Sequence, residues 1–163
     1  MGVTERTARG DPVDHRAGPA PSGDQELVVL EIPASAAYVG IARTVTTAVA
    51  GSVEGLSDGR LEDLRLAVSE ACTNAIEAQA AGGPEPRVVL RCSLRGRELE
   101  VRIEDSGGGF DPDQLATSLE PPATIDLVTE RGWGIHLIRA LVDDVEFAST
   151  GPGTAVRMVI RLD

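Results

Sequence analysis

Two hydrophobic periods alternate along the chain and predict its helices and strands. Between residues 61 and 81, apolar residues recur at steps of three and four, which is the period of an amphipathic helix. Ser57 or Asp58 is placed to cap this helix, and the run Gly82-Gly83-Pro84 is expected to end it. The positions predicted to face the core are Leu61, Leu64, Val68, Ala71 and Ala75.

The opposite face of the same helix carries a polar stripe. Glu70, Asn74 and Glu77 fall at three- and four-residue steps, so a carboxylate and a carboxamide lie one turn apart. A solvated helix surface is the ordinary explanation for such a stripe. Asn is nevertheless a poor residue for the middle of a helix, and the helix alone does not decide between surface and site.

The rest of the chain reads as short strands and two further helices. A helix is predicted from Ala36 to Ala50 with Ser35 as its cap, and another opens at Gly132-Trp133-Gly134. The predicted strands are Glu26–Pro33, Arg87–Leu94, Glu98–Glu104, Val145–Ala148 and Thr154–Leu162. This order predicts an α+β two-layer sandwich, with a mixed, mostly antiparallel sheet and helices on one face.

The strand from Glu98 to Glu104 ends on an unusual residue. Leu99, Val101 and Ile103 alternate with charged residues, so they face the core while Glu98, Glu100 and Glu104 lie on the outer face. Asp105 continues the inward set, and a carboxylate is therefore expected to point to the buried side. Three glycines follow it, and then about twenty residues without a clear period, which is typical of a lid or binding loop.

The first 25 residues differ in composition from the rest. They are rich in Gly, Pro, Arg and Asp and have almost no large apolar side chains, so we expect a disordered tail. One domain is then expected over residues 26–163.

Charge and composition exclude several functions. The net charge of −11, from 26 acidic and 15 basic residues, argues against partners that are nucleic acids or anionic membranes. All basic residues are Arg, which excludes a Schiff-base lysine or a Walker-A lysine. Cys72 and Cys92 have no metal-ligand spacing around them and are expected to be buried apolar residues. Without a long apolar run, the expected compartment is the cytoplasm.

The polar residues singled out above suit a purine nucleotide. Asp105 can accept a hydrogen bond from an exocyclic amino group, and bare glycines let a flat base approach the backbone. A helix that begins with glycines offers N–H groups to phosphates. The Asn74 amide oxygen is a suitable magnesium ligand, and Glu70 can accept a proton from an attacking hydroxyl. Gly107 to Gly109 also fit a plain tight turn, and Gly132-x-Gly134 also fits a plain helix start. Those explanations leave the order and spacing of the motifs unexplained.

Four short motifs in this order resemble the N, G1, G2 and G3 boxes of the GHKL ATPase/kinase superfamily. They are ExxxN at Glu70–Asn74, DxGxG at Asp105–Gly109, GxG at Gly132–Gly134 and the pair Gly153-Thr154. The runs RGWGIHLIRALVDDVEF and GTAVRMVIRL resemble the bacterial anti-sigma-factor serine/threonine kinases in particular. The resemblance covers about residues 26–163 and implies the Bergerat-type sandwich with an ATP lid.

The resemblance also implies roles for individual residues. Asp105 would contact the adenine amino group, and Gly107 and Gly109 would shape the base pocket. Asn74 would hold Mg²⁺, and Glu70 would be the catalytic base. The other ATP-binding residues would be Arg131 at the end of the lid, Gly132 and Gly134 at the phosphates, and Thr154 supporting the pocket.

The implied function is that of an ATP- and Mg²⁺-dependent protein serine/threonine kinase. Such a protein phosphorylates an anti-anti-sigma (STAS) partner, sequesters a sigma factor as a homodimer and so regulates transcription by partner switching. The alternative is an ATP-sensing protein-binding module without kinase turnover. A histidine-kinase catalytic fragment is disfavoured, because the segment before Glu26 is too polar and too rich in Gly and Pro for a dimerisation helix. A stand-alone hydrolase would need a water-positioning arrangement that the sequence does not display.

Overall fold

A computed structural model describes residues 24–79, 85–107 and 133–163 of the chain. Its strands are β1 (Asp24–Pro33), β2 (Arg87–Arg95), β3 (Glu98–Asp105), β4 (Asp144–Ser149) and β5 (Thr154–Arg161). Its helices are α1 (Val39–Gly51), α2 (Asp58–Ala78) and α3 (Trp133–Leu141), and a 3₁₀ turn at Ala36–Tyr38 precedes α1. The predicted tail falls outside the described residues except for Asp24 and Gln25, which begin β1.

The five described strands form one sheet in the order β1-β2-β3-β5-β4, and each neighbouring pair is antiparallel. Gly96, whose φ is +59°, lies in the tight turn that joins β2 to β3. Across this hairpin Leu90 pairs with Ile103 and Val88 pairs with Asp105. Leu90, Ile103 and Val88 are all fully or nearly fully buried, so Asp105 continues the core-facing set of β3, as the alternation predicts.

The three helices cover one face of this sheet and complete the α+β sandwich. The helix α2 packs against both α1 and α3 and contacts β2, β3 and β5. Its inner face is buried at Leu64, Val68, Ala71 and Ala75, while Leu61 is half-buried at the edge of the core. Both cysteines are free and buried, and burial raises the pKa of Cys72 to about 12. They therefore act as apolar core residues, as expected from the sequence.

The ends of the helices differ in part from the sequence prediction. Ser57 does cap α2, because its hydroxyl accepts the N–H of Arg60 at 3.4 Å. Ser35 is not a cap: it precedes the 3₁₀ turn, and its side chain accepts no capping hydrogen bond. The helix α2 also ends earlier than predicted, at Ala78, with Gln79 as its C-cap. Gln79 is 3% exposed and donates its side-chain amide to the carbonyl of Arg87, a tertiary contact that holds this end.

The outer face of the sheet is charged, as the alternation predicts, but it is not uniformly solvated. Glu100 is 6% exposed because two arginines cover its carboxylate. The Glu100 Oε2 atom lies 2.7 Å from Arg157 Nε and 3.5 Å from Arg95 Nε. Within the described ranges, none of the helices combines the length and the apolar character that a membrane crossing requires.

Candidate functional site

The polar stripe of α2 runs along one side of the helix toward its C-terminal end. Glu70, Asn74 and Ala78 follow one another at four-residue intervals, so they span about 12 Å of helix. Glu70 and Asn74 are half-buried, which shows that this stripe is partly covered by neighbouring elements. A fully solvated helix surface is therefore wrong for these two residues.

The Glu70 end of the stripe lies against the beginning of α3. Gly134 is the second residue of that helix and is buried. A Cβ atom built on Gly134 would overlap the Glu70 carboxylate, and it would lie 2.8 Å from Glu70 Cδ. The position therefore admits glycine alone unless Glu70 moves, and the backbone of the first turn of α3 directly adjoins the proposed catalytic carboxylate.

The Asp105 carboxylate lies at the other end of the stripe. Asp105 is 9% exposed, and its Oδ1 atom accepts the backbone N–H of Gly107 at 2.9 Å. The backbone of Thr154, the first residue of β5, also donates to this carboxylate. Two backbone N–H groups thus fix the carboxylate at the C-terminal end of β3.

Two close backbone approaches join the end of β3 to α2 and to the turn before β5. A Cβ atom on Gly107 would lie 2.5 Å from the carbonyl oxygen of Ala78, and one on Gly153 would lie 2.5 Å from the carbonyl carbon of Asp105. Both glycines are buried. The end of β3 is therefore held between the C-terminal turn of α2 and Gly153, where no side chain has room.

Burial disfavours the charged form of both carboxylates. The pKa of Glu70 is raised, first by burial and then by the nearby negative charge of Glu77. The pKa of Asp105 is also raised by burial, and the hydrogen bonds from Gly107 and Thr154 partly oppose this effect. Carboxylates with raised pKa values are frequent at functional sites.

The structure thus brings together the candidate residues it describes. Glu70 and Gly134 meet at one end of the stripe, and Asp105, Gly107 and Thr154 meet at the other, with Asn74 between them. Three further candidates, Gly109, Arg131 and Gly132, and the predicted lid lie outside the described residues. The two ends nevertheless share one face of α2.

Sequence reasoning did not assign a role to Ala78, whose carbonyl meets Gly107, or a close packing contact to Gly153. Ala78 falls four residues after Asn74, so the helical period contained a signal for it. The contact of Gly153 with Asp105 is tertiary, and nothing in the sequence apart from the glycine itself indicates it.

The residues present fit a nucleotide with a bound cation. The Asp105 carboxylate supplies an acceptor for an amino group, and the Asn74 amide supplies an oxygen ligand for a hard cation. The N–H end of α3 lies beside Glu70, and the helix dipole at that end favours negative charge such as that of phosphate oxygens.

One known family matches most of the chain. The family model described as "Histidine kinase-like ATPase domain" matches residues 32–160. This range contains all nine candidate residues and most of the described fold.

Curated relatives match most of the chain. The serine-protein kinase RsbW of Bacillus pumilus is 37% identical over 138 residues, which is 82% of this chain and 84% of that protein. The serine-protein kinase RsbW of Bacillus subtilis is 36% identical over 123 residues, or 74% of this chain and 76% of that protein.

Solved structures share the fold at lower identity. One contains the RsbU and RsbW domains of Rv1364c from Mycobacterium tuberculosis, with a TM-score of 0.59, 19% identity, and coverage of 83% of this chain and 33% of that chain. The mycobacterial sensor histidine kinase MprB gives a TM-score of 0.50 at 19% identity, covering 82% of this chain and 98% of that one. At this level of identity the likeness concerns the fold.

Proposed function

Because this chain belongs to the histidine kinase-like ATPase domain family, and its curated relatives are serine-protein kinases, we propose that it transfers the γ-phosphoryl group of ATP to a serine or threonine of a partner protein. The observation that carries this proposal is the placement of Glu70 with Gly134 and of Asp105 with Gly107 at two ends of one α2 face. An adenine at Asp105 and a terminal phosphate at Glu70 would then occupy the same cleft.

The chemistry assigned to the chain is positioning and proton transfer. Asp105 accepts a hydrogen bond from the adenine amino group, and the start of α3 binds the phosphates through its N–H groups. The hydroxyl oxygen of the partner attacks the γ-phosphorus, the bond to the β–γ bridging oxygen breaks, and ADP leaves. Glu70 accepts the hydroxyl proton.

Asn74 would hold Mg²⁺ together with phosphate oxygens and water. The cation would neutralise charge on the phosphates, which matters in a protein whose own net charge is −11. The raised pKa of Glu70 makes this carboxylate a stronger base than an ordinary exposed glutamate.

The partners that we propose are a sigma factor and an anti-anti-sigma (STAS) protein that carries the phosphorylated residue. We place the protein in the cytoplasm, as a homodimer that regulates transcription by partner switching, without a nucleic-acid or membrane partner of its own. The acidic surface suits protein partners with basic patches. The relatives named serine-protein kinase favour turnover over the alternative of an ATP-sensing module.

The decisive variant is Glu70→Gln, which keeps the shape of the side chain and removes its basicity. We expect phosphoryl transfer to a STAS partner to fall about 100-fold or more, as for loss of a general base, while ATP binding persists. Radiolabelled γ-phosphate transfer and equilibrium ATP binding measure the two quantities.

Glu62→Gln is the matched control, because Glu62 lies on the same helix and its pairing with Arg65 is exposed. Transfer by Glu70→Gln at the wild-type rate would contradict the assigned base. ATP binding without any phosphoserine from the wild-type protein would support the ATP-sensing alternative instead.

A further inference from the structure

A charged contact fastens the end of α3 that is remote from the proposed site. Arg60, in the first turn of α2, donates from Nη1 to the carbonyl oxygen of Leu141 at 3.2 Å, and its Nη2 atom pairs with the Asp143 carboxylate. The Arg60 guanidinium also lies 3.7 Å from Asp63. About a third of the Arg60 and Asp143 side chains is exposed, so this contact is partly shielded from water.

Asp143 extends the contact to the sheet. Its Oδ2 atom accepts the backbone N–H of Arg161 at 2.8 Å, and its own N–H donates to the carbonyl of Val159 at 2.9 Å. One guanidinium and one carboxylate thus join α2, the α3–β4 junction and β5. We call Arg60 and Asp143 the clamp.

The positive charge of Arg60 in the clamp lies at the C-terminal end of α3. Leu141 is the last residue of α3, so its carbonyl has no partner within the helix, and the C-terminal end of the helix dipole is negative. The Arg60 guanidinium satisfies that carbonyl and places a positive charge at the negative end. A helix of nine residues gains little stability from its own hydrogen bonds and depends on such tertiary contacts.

The clamp and the proposed site lie at opposite ends of the same helix pair. Gly134 and Glu70 are in contact. On α3, Gly134 is seven residues before Leu141, and on α2, Glu70 is ten residues after Arg60. The helices are thus antiparallel neighbours with a contact near each end of α3. The two contacts are roughly 10 to 15 Å apart along the helix axes. A rigid nine-residue helix transmits a shift at Leu141 to Gly134.

We propose that Arg60 and Asp143 are positioning residues that set the place of the α3 N-terminus against Glu70, and so control the binding of the phosphate end of the nucleotide. This proposal rests on the proposed function. It assigns the clamp no contact with nucleotide, and it leaves the Asp105 end of the cleft unaffected.

The test compares two ligands that differ in their phosphates. In Arg60→Met, which retains an apolar stem, we expect the Kd for Mg-ATP to rise roughly tenfold, as for loss of one partly exposed charge-assisted hydrogen-bonded pair. The Kd for adenosine, which has no phosphate, is expected to stay unchanged. Calorimetry measures the first value, and NMR titration measures the second.

Arg65→Met is the matched control. Arg65 is on α2, like Arg60, and pairs with Glu62 at 2.7 Å. Both residues of this ion pair are on α2, so the pair does not involve α3. We expect this variant to keep both affinities. A merely structural role of Arg60 would weaken both ligands together, or lower the unfolding temperature with the ratio of the two affinities unchanged, and either result would overturn the clamp proposal.

A second variant protects the test against misfolding. Asp143→Asn removes the charge but keeps an oxygen that can accept the Arg161 N–H, so the same selective loss of ATP affinity is expected if Arg60→Met does not fold. Failure of the wild-type protein to bind ATP would overturn the proposed function and the clamp together. Normal ATP binding by the wild type and by both clamp variants would overturn the clamp alone.

Discussion

The Glu70 carboxylate combines three features that set it apart from an ordinary glutamate on a helix surface. It is half-buried, it directly adjoins the backbone of Gly134, and it shares its helix face with the negatively charged Glu77. Burial and the like charge both raise its pKa. A base with a raised pKa accepts a proton more readily, but it is also lost to protonation at a higher pH.

The pH dependence of phosphoryl transfer should show where Glu70 is lost to protonation. Because the proposed base Glu70 must be ionised to accept a proton, we expect kcat to fall as the pH drops through the raised pKa of Glu70. In Glu77→Gln the repulsion between the two carboxylates is absent, so the pKa of Glu70 falls and the acid limb of the profile moves to lower pH. Single-turnover rates over a pH series give this limb. An acid limb that moves to higher pH in Glu77→Gln, or does not move, would contradict the assignment.

At the scale of elements, the lack of a side chain at Gly134 determines how closely α3 approaches α2. The absence of a side chain at Gly134 lets the first turn of α3 reach the Glu70 carboxylate. In a helix, replacing Gly by Ala normally stabilises by about 1 kcal/mol, because Gly has the greater conformational entropy to lose. Here the added methyl group meets the carboxylate, so the steric effect opposes the helical preference.

We expect Gly134→Ala to lower the rate of phosphoryl transfer about 100-fold, because displacing the base or the helix by an ångström disturbs the reacting geometry. The paired control is Gly59→Ala in α2, where a Cβ meets nothing within 4 Å. That variant should keep its rate and gain up to about 1 kcal/mol of stability. Transfer assays and denaturant unfolding measure the two effects. A Gly134→Ala enzyme with a normal rate would show that the contact has no part in catalysis.

The sequence predicted the elements well where one period dominated. The inward direction of Asp105 followed from the alternation of Leu99, Val101 and Ile103, and the polar stripe followed from the three- and four-residue steps of α2. The C-terminal end of α2 was misjudged, because helix-forming residues continue past the point where the Gln79 amide is captured by the carbonyl of Arg87. Local propensity contains no information about such a tertiary partner.

The tertiary contacts of the site and of the clamp could not be predicted from any local pattern. Arg60 and Asp143 are 83 residues apart, and Gly153 meets Asp105 through the fold alone. The family resemblance indicated that the four motifs belong together. It did not indicate that Ala78 and Gly107 would touch, or that Ser35 would be left without a capping role.

At the scale of the whole molecule, α2 connects the parts that a nucleotide would join. It packs against α1, α3 and the sheet, and its residues Glu70 and Ala78 contact Gly134 and Gly107 at the two ends of the proposed site. A nucleotide bound to the native cleft would stabilise the fold, because the unfolded chain has no such site.

We expect Mg-ATP at about 100 times its Kd to stabilise the protein by roughly 2.7 kcal/mol, which corresponds to an increase in Tm of about 5 to 10 °C for a chain of this size. Asp105→Asn should lose most of this increase, because its amide cannot replace the carboxylate as an acceptor of equal strength. Differential scanning calorimetry with and without Mg-ATP measures both proteins.

The same variant tests the sign of the Asp105 pKa shift. A carboxyl group whose pKa is raised by folding costs stability when it is ionised, so the contribution is unfavourable above its native pKa and is relieved as the pH falls through that value. Without nucleotide at pH 7, Asp105→Asn should therefore melt no lower than the wild type. A large drop in Tm would show instead that the fold favours the charged form of Asp105 and lowers its pKa.

The eight-residue spacing between Glu70 and Ala78 has a consequence for selectivity. A helix cannot stretch, so the two ends of the cleft are held apart by a fixed length of about 12 Å. AMP, lacking the outer two phosphates, would be too short to engage both ends at once. The discrimination between AMP and ATP would then be set by the length of α2 between these two residues.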